Sequence, residues 1–140
     1  MKSTIFILLL LLLSGAQAFS QDCTTATNSP KLDPTSIGIV VYSNDVETVW
    51  NALRLANYSK KEGDEVSVFL LGKGVEVDKL VTDNKDVDEQ VKKLLDSGGT
   101  ILGCGTCLQS RNNTSPTICK FSSMKDLYEL IRKNKIVLTF

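Results

Sequence analysis

The strongest constraint on this chain is a series of short, unbroken apolar runs, each followed by turn residues and then by a stretch with helical spacing. Ile37-Gly38-Ile39-Val40-Val41-Tyr42 shows no polar and apolar alternation. A strand of that kind is covered on both faces, as strands of a parallel sheet are. Val66 to Leu71 forms a second such run and Thr100-Ile101-Leu102-Gly103 a third. Ile118 to Phe121 and Lys135 to Phe140 complete the set.

The intervening segments read as helices. Val46 to Lys61 sets Val46, Val49, Trp50, Leu53 and Ala56 or Asn57 along one stripe, with Ser43-Asn44-Asp45 as cap material and Gly63 as its end. Trp50 reads as packing rather than recognition. Val75 to Leu80 starts a short helix. Val87 to Ser97 turns Val87, Val91, Leu94 and Leu95 inward before Gly98-Gly99 stops it, and Met124 to Asn134 presents Met124, Leu127, Tyr128 and Ile131. Strands alternating with helices through short connections specify an α/β sandwich with a mainly parallel sheet. Functional groups of such folds gather beyond the carboxyl ends of the strands. Three segments qualify: Ser43-Asn44-Asp45, Gly72-Lys73-Gly74 and Cys104 to Cys107.

Composition narrows the chemistry. The 140 residues carry 16 basic and 16 acidic side chains, a balance without the basic face that nucleic acid requires. The absence of histidine excludes a Ser-His-Asp triad, a Cys-His pair and histidine-ligated metal or haem. No organic cofactor is suggested. Asp83, Asp86, Asp88 and Glu89 read as solvated loop charge rather than a cation site, so no metal is expected.

Residues 1–18 read as a signal peptide: Lys2, the apolar run Ile5 to Leu13, and Ala16-Gln17-Ala18, with cleavage after Ala18. That apolar run is far shorter than the roughly 20 residues of a membrane span, so no span is expected after cleavage and the location is secreted or periplasmic. Residues 19–35, polar and holding Pro30 and Pro34, form a flexible leader, and 36–140 one domain. Outside the cytoplasm an even number of cysteines suggests disulfides, and Cys23, Cys104, Cys107 and Cys119 permit three pairings that sequence does not choose between. Cys119, beside Ile118, reads as core or as a disulfide partner of Cys23. The triplets at Asn57, Asn112 and Asn113 fit the glycosylation pattern, with Asn57 on a helix.

Cys104-Gly105-Thr106-Cys107 is the segment with the clearest chemistry. A strand delivers the chain to Cys104, and Leu108 to Arg111 continues as a helical turn. A cysteine at a helix start faces unpaired amides, so the pKa of Cys104 is expected to fall, with Arg111 adding positive charge nearby. A thiolate attacks a sulfane sulfur or a disulfide. The competing readings are a structural disulfide or inert thiols, a four-thiol zinc site, and a thioredoxin-like oxidoreductase, whose motif belongs after the first strand rather than the third. Gly72-Lys73-Gly74 lacks the spacing of a phosphate loop and reads as a turn lining the cysteine pocket.

From residue 36 to 140 the chain resembles the DsrE/DsrF-like (TusD-like) sulfur-relay family. The resemblance lies in Tyr42-Ser43-Asn44-Asp45, in Val68 to Val75, in Cys104-Gly105-Thr106-Cys107-Leu108-Gln109-Ser110-Arg111, and in Met124 to Tyr128 with Val137 to Phe140. It implies a three-layer α/β/α sandwich of about five strands, assembled as a homotrimer or hexamer. It implies a persulfide on Cys104, with Cys107 as resolving or auxiliary thiol and Arg111, Asn44, Gly72 and Gly74 in support. The implied partners are a sulfur donor or acceptor protein, or a small sulfane-sulfur compound. The chain departs from the better-known relay proteins in its signal peptide and in Asn112, where relatives often carry glycine. A non-catalytic oligomeric binding module with a Cys104–Cys107 disulfide, and a thiol-disulfide oxidoreductase, stand as alternatives.

Overall fold

The computed structural model describes residues 32–140. The expected signal peptide, most of the expected leader and Cys23 lie outside the described residues. The elements run β1 (Ser36–Val41), α1 (Val46–Glu62), β2 (Glu65–Leu70), a 3-10 turn (Gly72–Glu76), α2 (Val77–Asp83), α3 (Lys85–Asp96), β3 (Thr100–Cys104), α4 (Gly105–Gln109), β4 (Lys120–Ser122), α5 (Met124–Lys133) and β5 (Ile136–Thr139). The five strands form one sheet in the order β4-β3-β2-β1-β5, and every pairing is parallel. The α/β architecture expected from the apolar runs is therefore present.

Chain direction explains the layering. The steps β1 to β2 to β3 to β4 all move one way across the sheet, and β4 to β5 returns the other way. Right-handed crossovers consequently set α1 and α3 on one face and α5 on the opposite one. Register assigns the side chains: Gly38 aligns with Ser67, Ser67 with Thr100, Val40 with Phe69, and Phe69 with Leu102. A Cβ on Gly38 would meet Leu130 of α5, so this set lies beneath α5. Ile37, Ile39, Val66, Val68 and Ile101 point to the other face and join Val49, Leu53, Ala56, Val87, Val91 and Leu94 in the core.

Helix ends follow local chemistry. Asp45 caps α1, its carboxylate accepting from the backbone N–H of Thr48 at 2.8 Å and its hydroxyl at 2.7 Å. Gly63 closes α1 with φ +101. At α5, the carboxylate of Asp126 accepts from both the backbone N–H and the hydroxyl of Ser123.

Several expectations need correction. Val46 and Leu95 are exposed, and α1 buries Ala52 and Ser59 besides Val49, Leu53, Ala56 and Asn57. The buried edge of α5 is Leu127 with Leu130, while Met124 and Tyr128 are 64% and 62% exposed and Ile131 also faces outward. A helix lying alone on its sheet face buries a narrow stripe, and two apolar stripes here share Leu127. The fourth strand begins at Lys120 rather than Ile118, because Thr117 and Ile118 give their N–H groups to Asp78 instead of a ladder.

Gly74 fixes how closely the turn after β2 approaches β1. A Cβ there would collide with the backbone carbonyl of Val41, which cannot rotate away. Gly74→Ala is expected to cost about 3 kcal/mol in denaturant melts. Gly98→Ala, at φ +76 with open space around it, is expected to cost about 1 kcal/mol. Equal losses in the two melts would show that the backbone shifts to absorb the Gly74 contact.

Candidate functional site

Because β3, β2 and β1 are neighbours, their carboxyl ends open side by side, and the loops that follow them meet. The loop after β3 begins at Cys104, whose sulfur caps α4 by accepting the backbone N–H of Cys107 at 3.3 Å. The turn after β2 begins at Gly72, in the left-handed region with φ +55, a conformation glycine adopts without steric cost. That conformation aims the Gly72 N–H at the sulfur of Cys107, 3.4 Å away. Cys104 and Cys107 share one turn, and each sulfur accepts a main-chain N–H. Cys104, Cys107 and Cys119 are all free thiols.

Glu76, at the end of the 3-10 turn, ties the loops together and was not singled out from sequence. Its Oε1 accepts from Nε of Arg111 at 2.7 Å, and its Oε2 accepts from Nδ2 of Asn44 at 3.1 Å. Arg111 also donates through Nη1 to the carbonyl of Cys107 at 3.1 Å and to the Ser110 hydroxyl at 3.3 Å. One carboxylate thus links the loops after β1, β2 and β3. Arginine and asparagine donors hold the Glu76 carboxyl below its ordinary 4.5. Arg111 is accordingly spent on Glu76 and the Cys107 backbone, and its charge is neutralised rather than offered to a thiol. Asn44 enters the network only through Glu76, and Gly74 lies against β1 rather than against a sulfur.

The expectation that Cys104 is acidified is also corrected. Burial pushes its thiol up and the Cys107 thiol adds to the rise, while the N–H groups of Cys107 and Thr106 pull the other way. Desolvation wins because Cys104 is 7% exposed. Cys107 is partly exposed.

The remaining candidates separate from this site. Cys119 is buried, and a Cβ on Gly103 would collide with its sulfur, so it fills the space over β3. Burial, with the Asp78 charge, pushes its thiol up to about 11. Asp78 anchors the loop after α4: Oδ1 accepts from the N–H of Thr117 and Ile118 and the Thr117 hydroxyl, and Oδ2 from Asn113. Asn112 takes φ +55 where that loop turns, a conformation asparagine tolerates better than most side chains. Asn57 is buried, with its amide on the carbonyl and side chain of Gln90. Trp50 packs at the core edge with the Arg54 guanidinium 4.2 Å above its ring. Among the described residues no group of three or more histidine, cysteine or acidic side chains is arranged to hold a metal. Among them, too, no helix is long and apolar enough to cross a membrane.

Comparisons with known proteins agree with this architecture. The model of the DsrE/DsrF-like family matches residues 35–140. An uncharacterized protein of Methanocaldococcus jannaschii is 31% identical over 100 residues, covering 67% of this chain and 88% of its own. The crystal structure of the ychN protein from E. coli superimposes with a TM-score of 0.65 at 17% identity, over 77% of this chain and all of that one. A conserved protein of unknown function from Bacteroides thetaiotaomicron gives a TM-score of 0.63 at 24% identity, over 76% of this chain and 95% of its own. At these identities the two structures speak to the fold alone.

The Glu76 tie has a pH signature. A carboxyl held low when folded contributes stability that is complete above its unfolded value and fades as pH falls through the folded one. Glu76→Gln is therefore expected to cost about 1 kcal/mol at pH 7. The gap to the wild-type protein should close as melts are taken below the ordinary 4.5 of a glutamate. A gap that stays constant with pH would assign the loss to packing instead.

Proposed function

The chain belongs to the DsrE/DsrF-like family, and from that premise we propose that it is a sulfur carrier of the relay type that holds a persulfide on Cys104. The family points to sulfur-relay chemistry. The observation that carries the finer reading is the pair of free thiols at the end of β3, each sulfur accepting a main-chain N–H. Such donors stabilise the anion of a thiolate or persulfide without adding a titrating group. Main-chain donors also keep their positions while sulfur arrives and leaves.

The partners under this reading are a sulfane-sulfur donor and an accepting protein. Export belongs to the same reading, supported by Lys2, the Ile5 to Leu13 run and Ala16-Gln17-Ala18. So does a homotrimer or hexamer, supported by the outward side chains of Phe121, Met124, Tyr128, Ile131, Ile136 and Val137 on α5 and the two edge strands. Apolar exposure of that extent usually marks a contact surface, and edge strands are commonly covered by assembly.

Two measurements test the reading. Intact-mass analysis after incubation with polysulfide, with free thiols alkylated, should show a gain of one sulfur mapping to Cys104. After a sulfite wash, Cys104→Ser should retain less than a tenth as much. Undiminished retention in that variant would remove the proposal, and a mass two hydrogens light that ignores the donor would favour a binding module with a locked Cys104–Cys107 disulfide. Light scattering should give a mass several times that of one chain, falling to a single chain in Tyr128→Lys/Ile131→Asp. A wild-type protein that is monomeric at micromolar concentration would sink the assembly.

A further inference from the structure

The two thiols of the site stand in unequal positions. Cys104 is 7% exposed, whereas Cys107 is partly open to solvent. A donor molecule approaching from outside meets Cys107 first. The Cys107 sulfur also receives the Gly72 N–H at 3.4 Å, from a neighbouring loop whose left-handed glycine sets the direction of the bond. Its backbone is held in turn by Arg111 on the Cys107 carbonyl at 3.1 Å, with Glu76 behind the guanidinium at 2.7 Å. The exposed thiol is therefore the one the whole Glu76 network positions.

We propose that Cys107 is the loading thiol: it takes the sulfane sulfur from the donor and passes it to Cys104, which stores it away from solvent. This assignment rests on the carrier reading above and adds the order of the steps. With a polysulfide chain as donor, the Cys107 thiolate attacks the terminal sulfur. A Cys107–S–S⁻ persulfide forms, and the donor leaves as a polysulfide anion one sulfur shorter. The Cys104 thiol then gives up its proton and its sulfur attacks the outer sulfur of that persulfide. A new S–S bond forms on Cys104, the bond to Cys107 breaks, and the Cys107 thiolate leaves and takes the proton. The sulfane sulfur keeps its oxidation state throughout, so no external reductant or oxidant enters.

The direction of the second step follows from the burial of Cys104. A thiol pushed up by burial is the stronger nucleophile once ionised and the poorer leaving group. Burial of Cys104 then keeps the transferred sulfur from nucleophiles in solution. Attack on the inner sulfur of the Cys107 persulfide would give a different result, a Cys104–Cys107 disulfide with release of hydrosulfide. That outcome is a reduction of the sulfur rather than its storage.

The test uses the full protein with inorganic polysulfide, sampled over time, with free thiols alkylated and peptides mapped by mass. In the wild-type protein the added sulfur should appear on Cys107 first and on Cys104 later. Cys107→Ser should load Cys104 at least tenfold more slowly. Cys104→Ser should form the Cys107 persulfide and lose that sulfur to added sulfite. Loading of Cys107→Ser at the wild-type rate would overturn the order while leaving the carrier reading intact, whereas a mass two hydrogens light with sulfide in solution would remove both, because the sulfur is then reduced rather than carried. No uptake by the wild-type protein would remove the carrier reading and this one with it. A measurement without variants guards against misfolding: under native conditions iodoacetamide should modify Cys107 at least ten times faster than Cys104, with Cys119 slowest. Equal or reversed rates for the first two would overturn the assignment.

Discussion

Parallel pairing of three adjacent strands is the constraint on which the rest of this molecule depends. With β1, β2 and β3 in register, their carboxyl ends finish at one edge of the sheet. Three loops whose bonded residues stand 32 and 35 residues apart in sequence are then forced together. Gly74 allows the second loop to lie directly on the Val41 carbonyl, a contact closed to any larger residue. From that close approach follows the reach of Gly72 to Cys107, and of Glu76 to both Asn44 and Arg111. The site is thus a product of sheet register first and of side-chain chemistry second.

Its electrostatics are correspondingly self-contained. Arg111, the one cation bonded within the network, is paired with Glu76 at 2.7 Å and turned onto a main-chain carbonyl. What remains to influence the sulfurs is the set of backbone amides from Gly72, Thr106 and Cys107, opposed by desolvation. Fixed dipoles and burial act in opposite senses on the same thiol, and for Cys104 burial is the larger. The helix-start argument identified a real contribution and underestimated its competitor, since sequence carries the position of a cysteine in a turn but not the depth of that turn.

Much of the sheet was legible because continuous apolar runs are specific to strands buried on both faces. The caps at Asp45 and Gly63 were legible for a similar local reason. Glu76 was not. It is one acid among 16 in the chain, and it falls inside Val75 to Leu80, a stretch that reads as a helix start. Its partners stand 32 and 35 residues away, so no local spacing marks it; only the strand order does. The outer face of α5 was misassigned for the opposite reason. Met124, Tyr128 and Ile131 form an apolar stripe that periodicity places inward, yet Leu127 and Leu130 reach the sheet. Periodicity reports that a helix has an apolar side and does not say whether its own chain covers that side.

Burial of a working thiol runs against the usual logic of cysteine nucleophiles, which are exposed and acidified. A carrier has a second requirement that an attacking group lacks, since the sulfur it holds must not be taken by the first small nucleophile to diffuse past. Under the proposed reading two cysteines divide these demands. Cys107, partly exposed and supplied with the Gly72 N–H, receives the sulfur, and Cys104, enclosed at the end of β3, holds it. The spacing of two residues keeps both cysteines on one turn, with the Cys104 sulfur 3.3 Å from the Cys107 N–H. Within the proposed function, the enclosure of Cys104 is then what keeps the stored sulfur from nucleophiles in solution.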